Sequence, residues 1–579
     1  MVKKSIFGVI GIVILVSSFS FIKHLKSEVA PTPADKIFIN GTIITVDNNN
    51  SIAEAVAVKD GKILAIGTTK EINAYKGKAT EVEDLQGKTL IPGFIDGHSH
   101  FVSVNKSRGP GLAPPPVGTV SNIGDIVAAL QKFKEEHNIK PGEWISGSGY
   151  DPDQLEEKRQ PTKEDFDKAF PDNPIAITHV SGHMTIANSY ALKVSGITAS
   201  TSDPNGGKIV REKGSNEPTG LLLERAAGLL KRTRPEDEVP LTEEEKFGML
   251  KAREKLYASN GITTAQDGAT AFANLSLLED ASEKGVLYID IEALPVYASL
   301  TKVLQAYKYG ELKNHLKLNG FKLFADGSPQ GKTAFFTDPY LTEVPGCDKN
   351  ECHGIPTITQ EKFNKAIVEA FKNNIQPYVH CNGDAAIDMY IKAVRNANAE
   401  LNTTSIGRRP VVIHAQFTRP DQLDSYKELG MLPSFFSNHT FFWGDVHIQN
   451  LGKERAFFES PLNSALKKGI IFTNHTDFGV TPINQIFLMW TAVNRLSRSG
   501  VVVGPDERVK PIDALRAVTI NGAYEYFEEA TKGSIEKGKL ADFAILSANP
   551  LTVNPATIKD ITVLETIKEG KTIFDKKKD

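Results

Sequence analysis

Two histidines one residue apart, His98 and His100, close the segment 90–100 (LIPGFIDGHSH). Residues 94–96 read as a short strand. In extended backbone, side chains two apart point the same way, so both imidazoles can reach one cation. A lone His-x-His is a weak sign, because satisfied core and surface histidines are common. Three later residues strengthen it: His380 ends the run QPYVH, His414 ends PVVIH, and Asp477 follows GIIFTNHT. Packing alone gives little reason for separate apolar runs each to end in such a group. Neutral imidazoles and a carboxylate suit Zn²⁺, and a site with an open position can lower the pKa of bound water to about 7. The chemistry expected is metal-assisted hydrolysis.

Those residues need elements to gather them. Short apolar runs at 175–178, 263–265, 321–325, 377–380, 411–414 and 470–473 alternate with amphipathic stretches at 123–136, 243–259, 360–373 and 385–397. Such alternation predicts βα units and a parallel sheet. About eight units over roughly 400 residues fit an α/β fold of (β/α)₈ TIM-barrel type with insertions, which carries its functional groups at the strand C-termini. Residues 110–116, rich in Pro and Gly, read as an insertion loop. Both chain ends have a β texture. Residues 36–46 read as a strand with Asn40-Gly41 inside it, and Asp60-Gly61 signals a hairpin between 53–58 and 62–66. Residues 88–91, 541–546, 561–566 and 571–574 are also strand-like. The ends are expected to build one small β-sandwich. The organisation expected is 1–30 as a signal peptide or membrane anchor, 31–92 and 519–579 as the sandwich, and 93–518 as the barrel.

Bulk composition narrows the partners. Lys+Arg of 67 against Asp+Glu of 70 leaves a formal charge of −3, which favours neither nucleic acid nor an anionic membrane surface. A basic start (MVKK) followed by the uncharged, mostly apolar residues 5–22 has the pattern of a secretory signal. Export to the periplasm or another extracytoplasmic space is expected. The run is near the lower length for crossing a bilayer, so an uncleaved membrane anchor is the alternative. Cys347 and Cys352 lie close together and would form a small disulfide in an exported protein, with two free thiols as the alternative. Cys381 has no assigned role.

Several further blocks extend the pattern: 147–152 (GSGYDP), 183–192 (HMTIANSYAL), 260–268 (NGITTAQDG), 322–334 (KLFADGSPQGKTA), 380–384 (HCNGD), 441–447 (FFWGDVH), 477–482 (DFGVTP) and 518–523 (VTINGA). With them, the sequence resembles the amidohydrolase superfamily from about residue 35 to 574. Within it the likeness is to the amidohydrolase-3 branch, toward N-substituted formamide deformylase. The resemblance implies a barrel with a sandwich side domain and a centre of one or two divalent ions, zinc foremost. It implies His98, His100, His380 and His414 as ligands, and Asp477 as a ligand that also takes a proton from water. Lys322 stands where a carboxylated, metal-bridging lysine occurs. The alternatives for Lys322 are a pair with Asp326 or exposure to solvent. His183 and His439 are secondary catalytic candidates that would orient or polarise a carbonyl, as neutral histidines donating to an oxyanion. Asp151, Asp326, Trp443 and Arg455 are pocket candidates that helix caps and core packing explain equally. His475 reads as structural, and Asp267 has no assigned chemistry.

The function expected is hydrolysis of a non-peptide carbon–nitrogen bond, amide or N-formyl, in a small molecule. A cyclic amidase, a deaminase or an esterase/lactonase would use the same residues. A non-catalytic extracytoplasmic binding protein would have lost ligands, and none is lost. A homodimer is compatible with the resemblance. Substrate choice is expected to reside in loops such as 109–119 and 339–356.

Overall fold

The apolar runs that precede the candidate ligands pair into two parallel sheets in the computed structural model, which describes residues 31–103, 109–232, 240–347 and 351–578. One sheet orders Leu316–Leu318, Asp290–Pro295, Ile262–Thr270 and Phe94–Ile95. The other orders Gly320–Phe324, Gln376–Cys381, Val411–His414, Leu432–Phe435 and Thr473–Asn474. Every neighbouring pair in both runs parallel. Single parallel bridges join the sheets, Val296 to Lys322 and Ser99 to Phe478. The architecture is TIM-barrel-like, and strands buried on both faces explain why their sequences are continuous apolar runs rather than alternating ones.

Helices fill the crossovers where the 3.6 period predicts them. Gln360–Lys372 buries Phe363, Ala366, Ile367, Ala370 and Phe371, one stripe at three- and four-residue spacing, and the Thr359 side chain caps its start. Pro420–Leu429 begins with Pro at its first position and ends at Gly430, whose φ of 63° is left-handed. Ile123–Glu136, Glu243–Ala258 and Asp384–Glu400 occupy the other expected helical stretches.

Two local expectations are corrected. The run at 175–178 does not join the parallel sheets. As Ile175–His179 it lies in a separate five-stranded mixed sheet with Ile145–Tyr150, Met184–Ala187, Pro218–Glu224 and Gly207–Arg211. Only four residues separate it from Met184, with Gly182 at φ 76°. That link is too short for a crossover, so the next strand returns antiparallel. Residues 36–46 are not one strand either. Asn40 has φ 54°, and a Cβ on Gly41 would lie 2.3 Å from the Leu85 side chain. The chain breaks there into Lys36–Ile39 and Thr42–Ile44, which enter different sheets.

Those two sheets unite the chain ends. Ile52–Ala53, Thr42–Ile44 and Thr89–Pro92 continue into Phe543–Leu546, Val563–Lys568 and Lys571–Asp575 in one six-stranded sheet. Lys62–Gly67, Ala55–Lys59, Lys36–Ile39 and Glu81–Asp84 form the second. Phe38, Val56 and Val58 from one sheet share an apolar cluster with Leu90, Phe543, Ile545 and Ile567 from the other. Asp60 and Gly61, at φ 49° and 72°, make the expected hairpin turn. Cys347 and Cys352 are joined by a disulfide, and Cys381 is a buried free thiol. The segment 1–30, expected to direct export or anchor the chain, lies outside the described residues. Among those described, no helix is long and apolar enough to cross a membrane.

Candidate metal centre

His98 and His100 emerge beyond the strand Phe94–Ile95 with ring centres 5.3 Å apart. Asp477 reaches both: its Oδ1 is 3.7 Å from His98 Nε2 and 3.3 Å from His100 Nε2. The Asp477 N–H donates to the His98 carbonyl at 3.1 Å, tying two strand ends together. His414 enters 5.5 Å from His98 and 4.5 Å from His380, ring centre to ring centre. Lys322 does not pair with Asp326 or face solvent; it is buried, and its Nζ lies 3.0 Å from His98 Nε2. His414 and Asp477 have φ of 70° and 48°, a conformation that costs non-glycine residues about 1–3 kcal/mol and concentrates at functional sites.

Three of the four rings are steered from behind. Gln266 Oε1 lies 2.5 Å from His98 Nδ1. An amide oxygen only accepts, so Nδ1 carries the proton and Nε2 turns its lone pair to the centre. His475 Nε2 sits 3.0 Å from His414 Nδ1 and Ser434 Oγ sits 2.9 Å from His475 Nδ1. Asp326 places Oδ1 3.3 Å from His380 Nδ1. It is itself pinned by the N–H groups of Asn382, Gly383 and Phe335 at 3.0, 2.8 and 3.0 Å. Gly268 permits the packing, since a Cβ there would lie 2.2 Å from His98 Cε1.

The electrostatics fit a divalent cation. Burial first, then neighbouring positive groups, hold His98, His380 and His414 well below the usual histidine range. Burial pushes the Lys322 amine down to about 7. For Asp477, burial would raise the pKa, but the imidazoles of His100 and His98 close beside it override that and keep the carboxyl below its usual range. The set is therefore lone-pair imidazoles, an ionised carboxylate and an amine that readily loses its proton. His98, His100 and Asp477 offer donor atoms all within 4.8 Å of one another. Asp477 Oδ1 is buried without a hydrogen-bond partner, a condition costing about 1–3 kcal/mol unless something binds there.

A profile of the amidohydrolase family matches residues 81–574. The chain belongs to the amidohydrolase family. N-substituted formamide deformylase of Arthrobacter pascens is 28% identical over 553 residues, covering 93% of this chain and 97% of that one. Protein LONG AFTER FAR-RED 3 of Arabidopsis thaliana is 32% identical over 574 residues, covering 95% and 94%. The crystal structure of an uncharacterized metal-dependent hydrolase from Pyrococcus furiosus is similar with a TM-score of 0.65 at 25% identity, covering 89% of this chain and 100% of that one. The protein is an enzyme, an amidohydrolase of carbon–nitrogen bonds.

The remaining candidates of this amidohydrolase divide by contact. His183 lies 5.0 Å from His380 by ring centres, and its Nδ1 is 2.8 Å from Glu224 Oε2. Burial would lower the His183 pKa, but Glu224 overrides it and raises it. The Glu224 carboxylate thus favours the charged form of this ring. His439 packs against Phe436, whose ring centre is 4.5 Å from His439 and 5.8 Å from His414. Trp443 Nε1 donates to Asp151 Oδ2 at 2.8 Å. Both residues line a groove of about 420 Å³ with Phe442, Phe478 and Val480, the Phe478 wall directly following Asp477. Arg455 instead braces loops, donating to the carbonyls of Leu451, Asp338 and Pro339 at 2.8, 3.0 and 2.8 Å. Asp267 accepts the Val102 N–H at 3.0 Å. Sequence reasoning missed Gln266, Glu224 and Ser434 and took His475 as structural. The one available sign was alternation: His475 stands two residues before Asp477, and Gln266 lies near the end of its strand.

Proposed function

We propose that this amidohydrolase cleaves an amide or N-formyl bond of a small molecule, using a divalent cation, zinc foremost. The observation that carries the reading is the buried, unpartnered Asp477 Oδ1 lying 3.3 and 3.7 Å from the Nε2 atoms of His100 and His98. His98, His100, His380, His414 and Asp477 would hold one ion, or two with Lys322 as a carboxylated bridge. When bound, such an ion supplies Lewis acidity and lowers the pKa of water to about 7.

The protein's own groups account for the proton and the charge. Asp477, ionised and fixed by its backbone bond to His98, takes the proton of the attacking water and returns it to the leaving nitrogen. His439 donates to the carbonyl oxygen as charge develops on it, and His183, held by Glu224, assists. The apolar groove beside Asp477 supports an apolar substituent on the substrate nitrogen. The products are an amine and a carboxylate, formate for a formamide. The two bridges between the parallel sheets support a closed (β/α)₈ barrel over 93–518, and the apolar cluster shared by the terminal sheets supports a sandwich of 31–92 with 519–579. The basic-then-apolar segment 1–30 and the Cys347–Cys352 disulfide support export.

The test is to assay zinc-loaded enzyme on N-formyl and N-acyl amines, measuring released amine and bound metal together. Bound zinc with turnover of at least one amide class is expected. Full zinc occupancy with none hydrolysed would remove the reading. If Lys322 is carboxylated, ¹³C-bicarbonate should give a carbamate NMR signal that Lys322→Ala lacks.

A further inference from the structure

Behind His439 stands a second group of ionisable side chains that the reaction above does not use. His447, on the helix Gly444–Leu451, and Glu459 are both fully buried. His447 Nε2 lies 3.1 Å from His439 Nδ1 and 3.6 Å from Glu459 Oε2. The two imidazoles are nearly parallel, with 12° between their planes. Glu459 is fixed in turn. Gln416 Nε2 donates to its Oε2 at 3.0 Å, and Arg495 donates to its backbone carbonyl at 2.7 Å and to that of Ser460 at 3.1 Å.

One proton arrangement suits these contacts best. His447 Nδ1 is buried and has no hydrogen-bond partner. A proton there would be an orphaned donor, which native interiors rarely contain. A proton on His447 Nε2 instead points between two acceptors, the His439 nitrogen and the Glu459 carboxyl. His439 Nδ1 must then accept, so a neutral His439 carries its own proton on Nε2. No hydrogen bond engages that nitrogen among the described residues, and Phe436 links the ring to the centre, 4.5 Å from His439 and 5.8 Å from His414 between ring centres.

We propose that Glu459 and His447 are positioning residues that lock His439 in its Nε2–H tautomer, aimed as a donor at the substrate carbonyl. The role of His439 rests on the proposed hydrolysis; the tautomer itself does not. Partners that fix the tautomer of a metal-ligating histidine change affinity or activity about 10–100-fold when removed, and the same order is expected here.

Two measurements test it. In full-length enzyme labelled with ¹⁵N-histidine, wild type should show the His439 resonances, assigned by their loss in His439→Gln, as a neutral ring protonated on Nε2. In kinetics at equal zinc loading, His447→Leu should lower kcat about 10–100-fold with little change in KM. His447→Gln, whose amide N–H replaces the Nε2–H, should recover most of that loss. A wild-type His439 protonated on Nδ1, undiminished kcat in His447→Leu, or equal loss in both variants would overturn the proposal. So would the loss of one zinc equivalent in Glu459→Gln, which would make the cluster a metal site. The NMR arm needs no substrate and no variant of His447. An enzyme that hydrolyses nothing in the panel would therefore sink the proposed function while leaving the tautomer decided.

Discussion

At the scale of single residues, Asp477 has the most demanding position. It sits at φ 48°, accepts close approach from two imidazoles and stays ionised while buried. Asp477→Asn keeps the shape and removes the base, so zinc should remain bound while kcat falls about 10²–10⁴-fold. Near-normal turnover would end the general-base assignment. His475 reaches the centre through His414 and packs edge-on against His98 at 5.2 Å between ring centres, and His475→Ala should weaken zinc binding about 10–100-fold in a chelator competition. The ligand candidates were legible because histidine and aspartate are uncommon at the ends of apolar runs. Their orienting partners were not. Gln266 is 168 positions from His98 and Glu224 is 41 from His183, and nothing local marks a glutamine or glutamate as the second half of such a pair.

At the scale of elements, the site depends on how closely strand ends approach. Gly268 follows Asp267 in the strand Ile262–Thr270, and the His98 ring occupies the space where its side chain would be. Gly268→Ala should therefore push His98 off its lone-pair direction. Zinc affinity and kcat should drop together, with far-UV circular dichroism unchanged; unaltered zinc affinity would show that His98 does not depend on this packing. Helices such as Gln360–Lys372 were legible from apolar spacing and a capping threonine, both local properties. Sheet membership was not. The run Ile175–His179 looks like the barrel strands, yet a four-residue return sends its neighbour antiparallel into another sheet.

At the scale of the whole molecule, buried charge joins the C-terminal segment to the strand Asp290–Pro295. Asp290 Oδ2 is 2.5 Å from Lys532 Nζ and 2.8 Å from Lys568 Nζ, and Lys568 also reaches Asp542 at 2.8 Å. Burial would raise the Asp290 pKa, but the two ammoniums override it and hold it well below the ordinary 3.8. Because folding lowers this pKa, the stabilisation is complete above the ordinary value and is lost as pH falls through the folded one. Asp290→Asn should destabilise the enzyme by about 3–5 kcal/mol in urea titrations near neutral pH, with a shallower loss of stability on acidification. Equal acid sensitivity in both proteins would exclude Asp290 as the linked group. The chemical types at the centre, the helical stripes and the two β-rich ends were determined by the sequence alone, because each is a pattern within a few consecutive residues. Which strands share a sheet, which polar group steers each imidazole, and which lysines neutralise Asp290 were decided only by tertiary structure. Those pairings are set by packing and desolvation between distant segments, and a local pattern holds no record of its partner.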